Sequence, residues 1–291
     1  MENTQQNFTM LYCSCDKYED AWEPFFRLLR IQWPEFDAPV LLNTESKSYA
    51  FPGLDIRTLS LYPSGEAVTW GRRMVDHLQR IDTEYVLLML DDFFLCRKVD
   101  DTRFRRCLQW LAQDPDAAVF SFYKVPGKNE PAPRYPGFVR RPQHGAYRFN
   151  CQASLWRTKD LLAFINSEES PWAWEVAGNY RSWRLRRSFY AADPACPLIF
   201  DYYGDGDWSG IMRGRWYTRY VGPLFARYGI DVDFTKRGTI GEEAVGALVA
   251  EQKKPLLYGL KTLYGNTLCV LKNPRSLRFE RREGEPEVRK K

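Results

Sequence analysis

Residues 85–100 read YVLLMLDDFFLCRKVD. Val86 to Leu90 are continuously apolar, Asp91 and Asp92 follow, and Phe93, Phe94 and Leu95 resume the core pattern. A short apolar run of this length, closed by polar residues, predicts a strand buried on both faces. Two like charges at its end need a partner, because an unpaired carboxylate beside a core costs on the order of several kcal/mol.

Upstream, FTMLYCSCD predicts a buried strand over residues 8–14 that ends in a polar turn at Cys15 to Lys17. In the next segment Trp22, Phe25, Phe26 and Leu29 fall at helical spacing, and Pro34 stops the helix. APVLLNTES gives a second strand ending at Asn43 to Ser46, and EAVTWGRRMVDHLQRI predicts an amphipathic helix over residues 66–81, leading into the strand that opened this reading. Strands alternating with helices imply an α/β fold with a doubly wound, mostly parallel sheet flanked by helices. In such sheets ligands bind beyond the carboxyl ends of the strands. Asp16 with Lys17, Asn43 to Glu45, and Asp91 with Asp92 are therefore expected to meet in one crevice.

The second half is less regular. A helix is expected over 103–113, a strand over 117–125, a Pro/Gly-rich basic loop over 126–145, and a strand and helix within 147–167. SPWAWEVAGNYRSWRLRR follows from residue 170 and is read as helical. PLIFDYYGDGDWSG (197–210) is read as a strand and Gly-rich loop, and IMRGRWYTRYVGPLFARYG (211–229) as a helix. Gly204, Gly206 and Gly210 imitate a dinucleotide fingerprint, but the spacing is one residue too long, and Asp205 and Asp207 would repel a pyrophosphate. No internal repeat is visible. Residues 1–250 are expected to form a single catalytic domain and 251–291 a basic, partly amphipathic tail.

Composition narrows the class. The 291 residues are 44% hydrophobic and 27% charged, values ordinary for a globular protein, with aromatics at 15%. Seven Cys without a framework suit reduced thiols in a cytoplasm, and with only His77 and His144 a zinc site has little support. The amino-terminal residues lack an export pattern, and no apolar run reaches membrane-spanning length. The net charge of +5 is a property of the tail, where eleven Lys/Arg face five Glu. A nucleic-acid partner would want a basic stripe on the folded face instead. There is no Gly-x-Ser-x-Gly elbow and no P-loop.

Paired acids at a strand end suit a divalent cation that bridges the protein and phosphate oxygens. Mg²⁺ or Mn²⁺ commonly takes one or two carboxylates and fills its shell from substrate. With its Arg-bearing helix and acidic strand end, WGRRMVDHLQRIDTEYVLLMLDDFF (70–94) resembles the nucleotide-sugar glycosyltransferases of the GT-A fold, in particular the family-2-like enzymes. The resemblance spans roughly residues 8–240, and Phe93 stands where a strict Asp-x-Asp motif would place its second acid. It implies a GT-A-like fold and transfer of a sugar from a nucleotide-sugar donor to a saccharide or lipid-linked hydroxyl acceptor. It further implies inversion at the anomeric carbon and a place in surface polysaccharide or glycolipid synthesis.

On that resemblance Asp91 and Asp92 hold Mn²⁺ or Mg²⁺, and Asp16 and Glu45 read the base and ribose with Arg72 nearby. Arg213 and Arg237 stabilise the leaving diphosphate. Glu175 deprotonates the acceptor while Trp172 and Trp174 stack on it, whereas Glu168 and Glu169, in a more polar stretch, are read as solvated. Alternatives are a metal-dependent nucleotidyltransferase or other phosphosugar enzyme, which would attack at phosphorus, and a carbohydrate-binding protein without turnover. Within the tail, Leu256, Leu257, Leu260, Leu263 and Tyr264 fall near helical spacing among Lys and Arg, a pattern suited to peripheral membrane contact. Vesicle co-sedimentation tests this. The protein should pellet with anionic vesicles and be released by salt, and pelleting indifferent to both would exclude an electrostatic tail contact.

Overall fold

The computed structural model describes residues 7–62, 67–204, 209–252, 267, 271 and 274–280. The apolar runs become β1 (Phe8–Cys13), β2 (Val40–Asn43) and β4 (Tyr85–Leu90), with a short β3 (Ile56–Thr58) beyond β2. α1 (Trp22–Gln32) follows a 3-10 turn at Asp16–Ala21, and α2 (Trp70–Leu78) precedes β4. Then come α3 (Asp101–Gln113), β5 (Ala117–Ser121), β6 (Glu130–Pro131), β7 (Phe138–Arg140), β8 (Ser154–Arg157) and α4 (Thr158–Phe164). α5 (Pro171–Ala173), a π turn (Trp174–Gly178) and α6 (Asn179–Ser182) run on as one helix. β9 (Ser188–Ala192), the hairpin β10 (Ile211–Met212) and β11 (Arg215–Trp216), α7 (Thr218–Arg227) and α8 (Glu242–Gln252) complete the body.

Among the described residues nine strands form one sheet in the order β3-β2-β1-β4-β8-β5-β9-β7-β6. The pairings set β7 and β8 against the other strands, so the sheet is mostly parallel and the expected α/β class is what forms. Both faces are covered, as a parallel sheet requires. Alternate residues of β1 and β4 serve opposite cores. Phe8, Met10, Tyr12, Tyr85, Leu87 and Met89 pack under α1 and α3. Leu11, Val86 and Leu88 pack with Met74 of α2, Phe164 of α4 and Trp174. The strand ends lie level, because Cys13 is in register with both Asn43 and Leu90.

Several expectations are corrected. PLIF is not a strand; the strand is SFYAA in β9, whose place is set by pairing with β5 and β7. IMRGRW is not helical. Arg213 and Gly214 both take positive φ, 50° and 76°, and turn the chain into a tight hairpin before α7 begins. The helix of residues 66–81 starts only at Trp70, capped by the Thr69 hydroxyl, which accepts from the Arg72 amide. Gly210, the last glycine of the false dinucleotide pattern, is there for packing, since a Cβ would meet Phe94 Cδ2 at 2.3 Å. Within the tail, residues 274–280 pack on the body: Glu280 accepts from the Ser167 amide and hydroxyl, and Asn166 donates to the Arg278 carbonyl. The five apolar tail positions named above lie outside the described residues.

His77 on α2 is fully buried and donates from Nδ1 to the Arg73 carbonyl at 2.9 Å. Burial lowers its pKa to about 4. The unfolded chain takes up a proton near pH 6.5 that the native state refuses until about pH 4. Stability is therefore whole above pH 6.5 and falls as pH drops toward 4, by at most about 3 kcal/mol for this group. Urea melts between pH 7 and 4 should show this loss, and His77→Gln should flatten that part of the profile.

Candidate active site

The polar ends of β1, β2 and β4 meet as expected, and the acidic pair is the centre. Asp91 and Asp92 leave β4 half-buried. The Ser14 hydroxyl, one residue past β1, donates to Asp91 Oδ2 at 2.7 Å and accepts from Trp22 Nε1 at 2.7 Å. Burial first, then the neighbouring Asp92 charge, raises the Asp91 pKa to about 8, with Ser14 and Arg237 opposing. Burial raises Asp92 to about 6, against a hydrogen bond from Ser209. Asp92 Oδ1 is buried with no hydrogen-bond partner among the described residues.

Arg237, from the loop after α7, is the cation at this pair. Its guanidinium carbon lies 4.1 Å from the Tyr18 ring centroid and 5.4 Å from that of Trp216. Nε donates to Asp20 Oδ2 at 2.8 Å and Nη2 to Oδ1, while Nη1 is buried without a partner among the described residues. The guanidinium is thus held rigid by Asp20 and two rings, with one edge unspent. Arg213 is exposed at the β10–β11 turn and makes no ion pair among the described residues.

The β1 and β2 ends are built differently from expectation. Both carboxylate oxygens of Asp16 are consumed by the turn after β2. Oδ1 accepts from the Glu45 and Lys47 amides at 3.1 Å, and Oδ2 from the Ser46 hydroxyl at 2.6 Å. Despite some burial, these bonds hold its pKa below the usual carboxylate range. Asp16 thus staples two loops. Glu45 accepts from the Asp16 amide and pairs with Arg73 Nη1 at 2.6 Å. Arg72 is turned away, exposed and paired with Asp76 at 2.7 Å. Its neighbour Arg73 is the buried one and also donates to the Ser14 carbonyl at 2.9 Å. Ser14 and Arg73 are therefore the residues at this centre that sequence reasoning missed. A cap at Thr69 was the available signal for the helix phase that turns Arg73 inward.

Glu175 lies in the π turn, an insertion often found at functional sites. Its Oε1 accepts from the Cys151 amide at 2.8 Å, and burial raises its pKa against that bond. Burial is the main effect that pushes up Cys151 and Tyr203, and the charges of both Glu175 and Asp92 add to it at each. Gln152, next to Cys151, accepts from the Tyr202 and Tyr203 hydroxyls at 3.0 and 2.7 Å. Trp172 is 76% exposed. Trp174 is corrected: it is wholly buried against Phe149, with ring centroids 4.7 Å apart, and donates to the Phe164 carbonyl, so it cannot stack on a ligand. Glu169 is not solvated either; it is fully buried in an ion pair with Arg181 at 2.5 Å.

Two carboxylates with a free buried oxygen suit a hard cation such as Mn²⁺ or Mg²⁺. Among the described residues no cluster of at least three His, Cys, Asp or Glu could hold a metal alone. A cation at Asp91 and Asp92 would accordingly complete its shell from substrate oxygens.

No protein-family model matches the sequence, and no curated protein does. Among solved structures the chain is similar to S. aureus TarS 1–349, at 12% identity and TM-score 0.43, over 66% of this chain and 59% of that one. The same protein in complex with UDP-GlcNAc gives 14% and 0.40, over 66% and 60%. The mannosyltransferase PcManGT from Pyrobaculum calidifontis, in complex with GDP-Man and Mn²⁺, gives 12% and 0.38, over 92% and 81%. The chain thus spans about three fifths of the TarS segment. At such distances no ligand or residue role passes to this chain. Among the described residues no helix is long and apolar enough to cross a membrane.

Ser14→Ala removes the acceptor of Trp22 Nε1 and the donor to Asp91 together. The loss of stability should be about 1–3 kcal/mol, since a buried donor is left unpaired. Differential scanning calorimetry beside Ser14→Thr, which keeps the hydroxyl, reads the difference.

Proposed function

We propose that this protein transfers a sugar from a nucleotide-sugar donor to a hydroxyl acceptor, with inversion at the anomeric carbon. The observation that carries the reading is the half-buried acidic pair, whose Asp92 Oδ1 is buried without a partner among the described residues, beside an arginine clamped by Asp20. Acids set side by side at the end of an inner strand are costly to keep and make sense as a cation site.

Asp91 and Asp92 hold Mn²⁺ or Mg²⁺, which neutralises charge on the donor diphosphate when bound. Arg237, already oriented by Asp20, Tyr18 and Trp216, presents Nη1 to the diphosphate as negative charge grows on it. Glu45 and Arg73 line the nucleoside end, where Arg73 also fixes the β1 turn through the Ser14 carbonyl. Gln152 is oriented by two tyrosine hydroxyls, which leaves its amide N–H groups to donate to the sugar. Glu175 takes the proton of the acceptor hydroxyl; a raised pKa makes it a better base. Trp172 contacts the acceptor.

Thermal-shift titration with UDP- and GDP-sugars, with and without Mn²⁺, is the direct test. A donor at about 100 times its dissociation constant adds about 2.7 kcal/mol, a visible shift in Tm. Asp92→Asn should stay folded and lose the metal-dependent part of that shift. Glu175→Gln should keep donor binding and lose about 10²–10⁴-fold in turnover. NMR of the product's anomeric configuration separates inversion from retention, and release of pyrophosphate would replace this reading by a nucleotidyltransferase. Normal turnover in folded Glu175→Gln would remove the base from the scheme.

A further inference from the structure

Exposed large aromatic side chains are few among the described residues: Trp172 at 76%, Tyr147 at 42% and Tyr180 at 36%. Two stand on the helical run that carries Glu175, and Tyr147 precedes a segment bonded to that run. The helix from Pro171 to Ser182 is buried except at Pro171, Trp172, Glu175, Val176 and Tyr180. In an unbroken α-helix Trp172 and Tyr180 would point about 80° apart. The π turn at Trp174–Gly178 takes up the excess, so one ordinary turn and one wide turn bring residue 180 back over residue 172. Glu175 lies between them on the same stripe.

Tyr147 joins this stripe from a second segment. Residues 147–151 run alongside the helix: the Arg148 amide donates to Asn179 Oδ1 at 2.9 Å and the Cys151 amide to Glu175 Oε1 at 2.8 Å. Tyr147 is therefore one residue from a contact with the neighbour of Tyr180. It holds a positive φ of 50°, a conformation a bulky residue adopts only when its surroundings impose it. Tyr180 is supported from below by Trp183, edge to face at 4.9 Å, and Trp183 by His144 at 5.7 Å.

We propose that Trp172, Glu175, Tyr180 and Tyr147 form a track for a saccharide chain, so that the acceptor is an oligosaccharide spanning several rings rather than a single sugar. The proposal rests on the reading of Glu175 as the acceptor base. Trp172 and Tyr180 lie about 12 Å apart along the axis, longer than one ring. Flat rings interrupted by a carboxylate and by backbone suit the apolar faces and hydroxyls of sugars. An apolar helix or a lipid chain would want aliphatic residues filling the stripe, and only Val176 is aliphatic there. Continuity with Glu175 places the growing end of the chain at the base and the older rings along Tyr180 and Tyr147.

The test uses binding, read apart from turnover. The full chain is applied to a broad glycan array, and the captured class is then titrated as a series from one to six sugar units by Trp fluorescence and calorimetry. Affinity should rise over the first few units and then level. Tyr180→Ala should lower affinity for the longer members about tenfold while leaving the shortest unchanged, and Tyr180→Phe should retain it. Donor-induced thermal shifts should be the same in all variants, so loss of the track and failure of the donor reading are distinguishable. Capture of no glycan, affinity independent of length, or an unaffected Tyr180→Ala would each overturn the proposal.

Discussion

Two carboxylates held side by side at the end of a buried strand are the constraint from which the rest of this structure takes its sense. Burial acts against both Asp91 and Asp92, and the Asp92 charge adds to it at Asp91. What offsets it comes from distant parts of the chain: the Ser14 hydroxyl after β1, Ser209 before β10, and Arg237 beyond α7. Those groups can only meet because Cys13 and Leu90 end their strands at one level. A one-residue slip of β1 would turn Tyr12 and Leu11 to the wrong cores and carry Ser14 away with them. The register that buries the two apolar faces is thus the same one that assembles the acidic site.

The offset is incomplete by design of the surroundings. Arg237 lowers the Asp91 pKa, yet its hydrogen bonds go to Asp20 and to the Lys17 carbonyl. The positive charge is near the acids without a hydrogen bond to them among the described residues, where Asp92 Oδ1 also has no partner. A direct bidentate pair would have been more stable and chemically silent. Two carboxyls without a direct cationic partner keep oxygens available to a hard cation.

The strand ends were legible because each is an apolar run broken by polar residues, a local signal that tertiary structure rarely overrides. Phase was harder to read. Arg72 and Arg73 are adjacent, and about 100° of helical rotation decides which one is buried. The Thr69 cap fixes that angle, and a cap is a single residue among many candidates. Trp172 and Trp174, two apart on a helix, point about 200° from each other, so elementary geometry already forbids both from facing one ligand. For β9, SFYAA is no more strand-like than PLIF; pairing with β5 and β7 chose between them, and pairing is not local. The turn at Arg213 and Gly214 shows the converse, a short-range signal hidden inside an apparent helical period.

The buried pair of Glu169 and Arg181 explains how Glu175 can be positioned at all. Arg181 lies six residues beyond Glu175 on the same run of helix, and its guanidinium also donates to the Phe164 carbonyl. Glu169 in turn accepts from the Asn166 amide, and the segment 166–169 is pressed against α2, where a Cβ on Gly71 would meet the Asn166 carbonyl oxygen at 2.1 Å. Residues 278–280 close the same segment from outside. An apolar pair would fill this space with similar or greater stability, because desolvating two charges is expensive. A bidentate ion pair does what an apolar pair cannot: it admits only one rotation of the helix. A π turn is under-determined in rotation by its nature, since a return to ordinary α geometry would turn the residues beyond it relative to those before. With Arg181 pinned behind and Trp174 locked into the core, that slip is blocked on both sides of Glu175, and the carboxylate is held on the Cys151 amide.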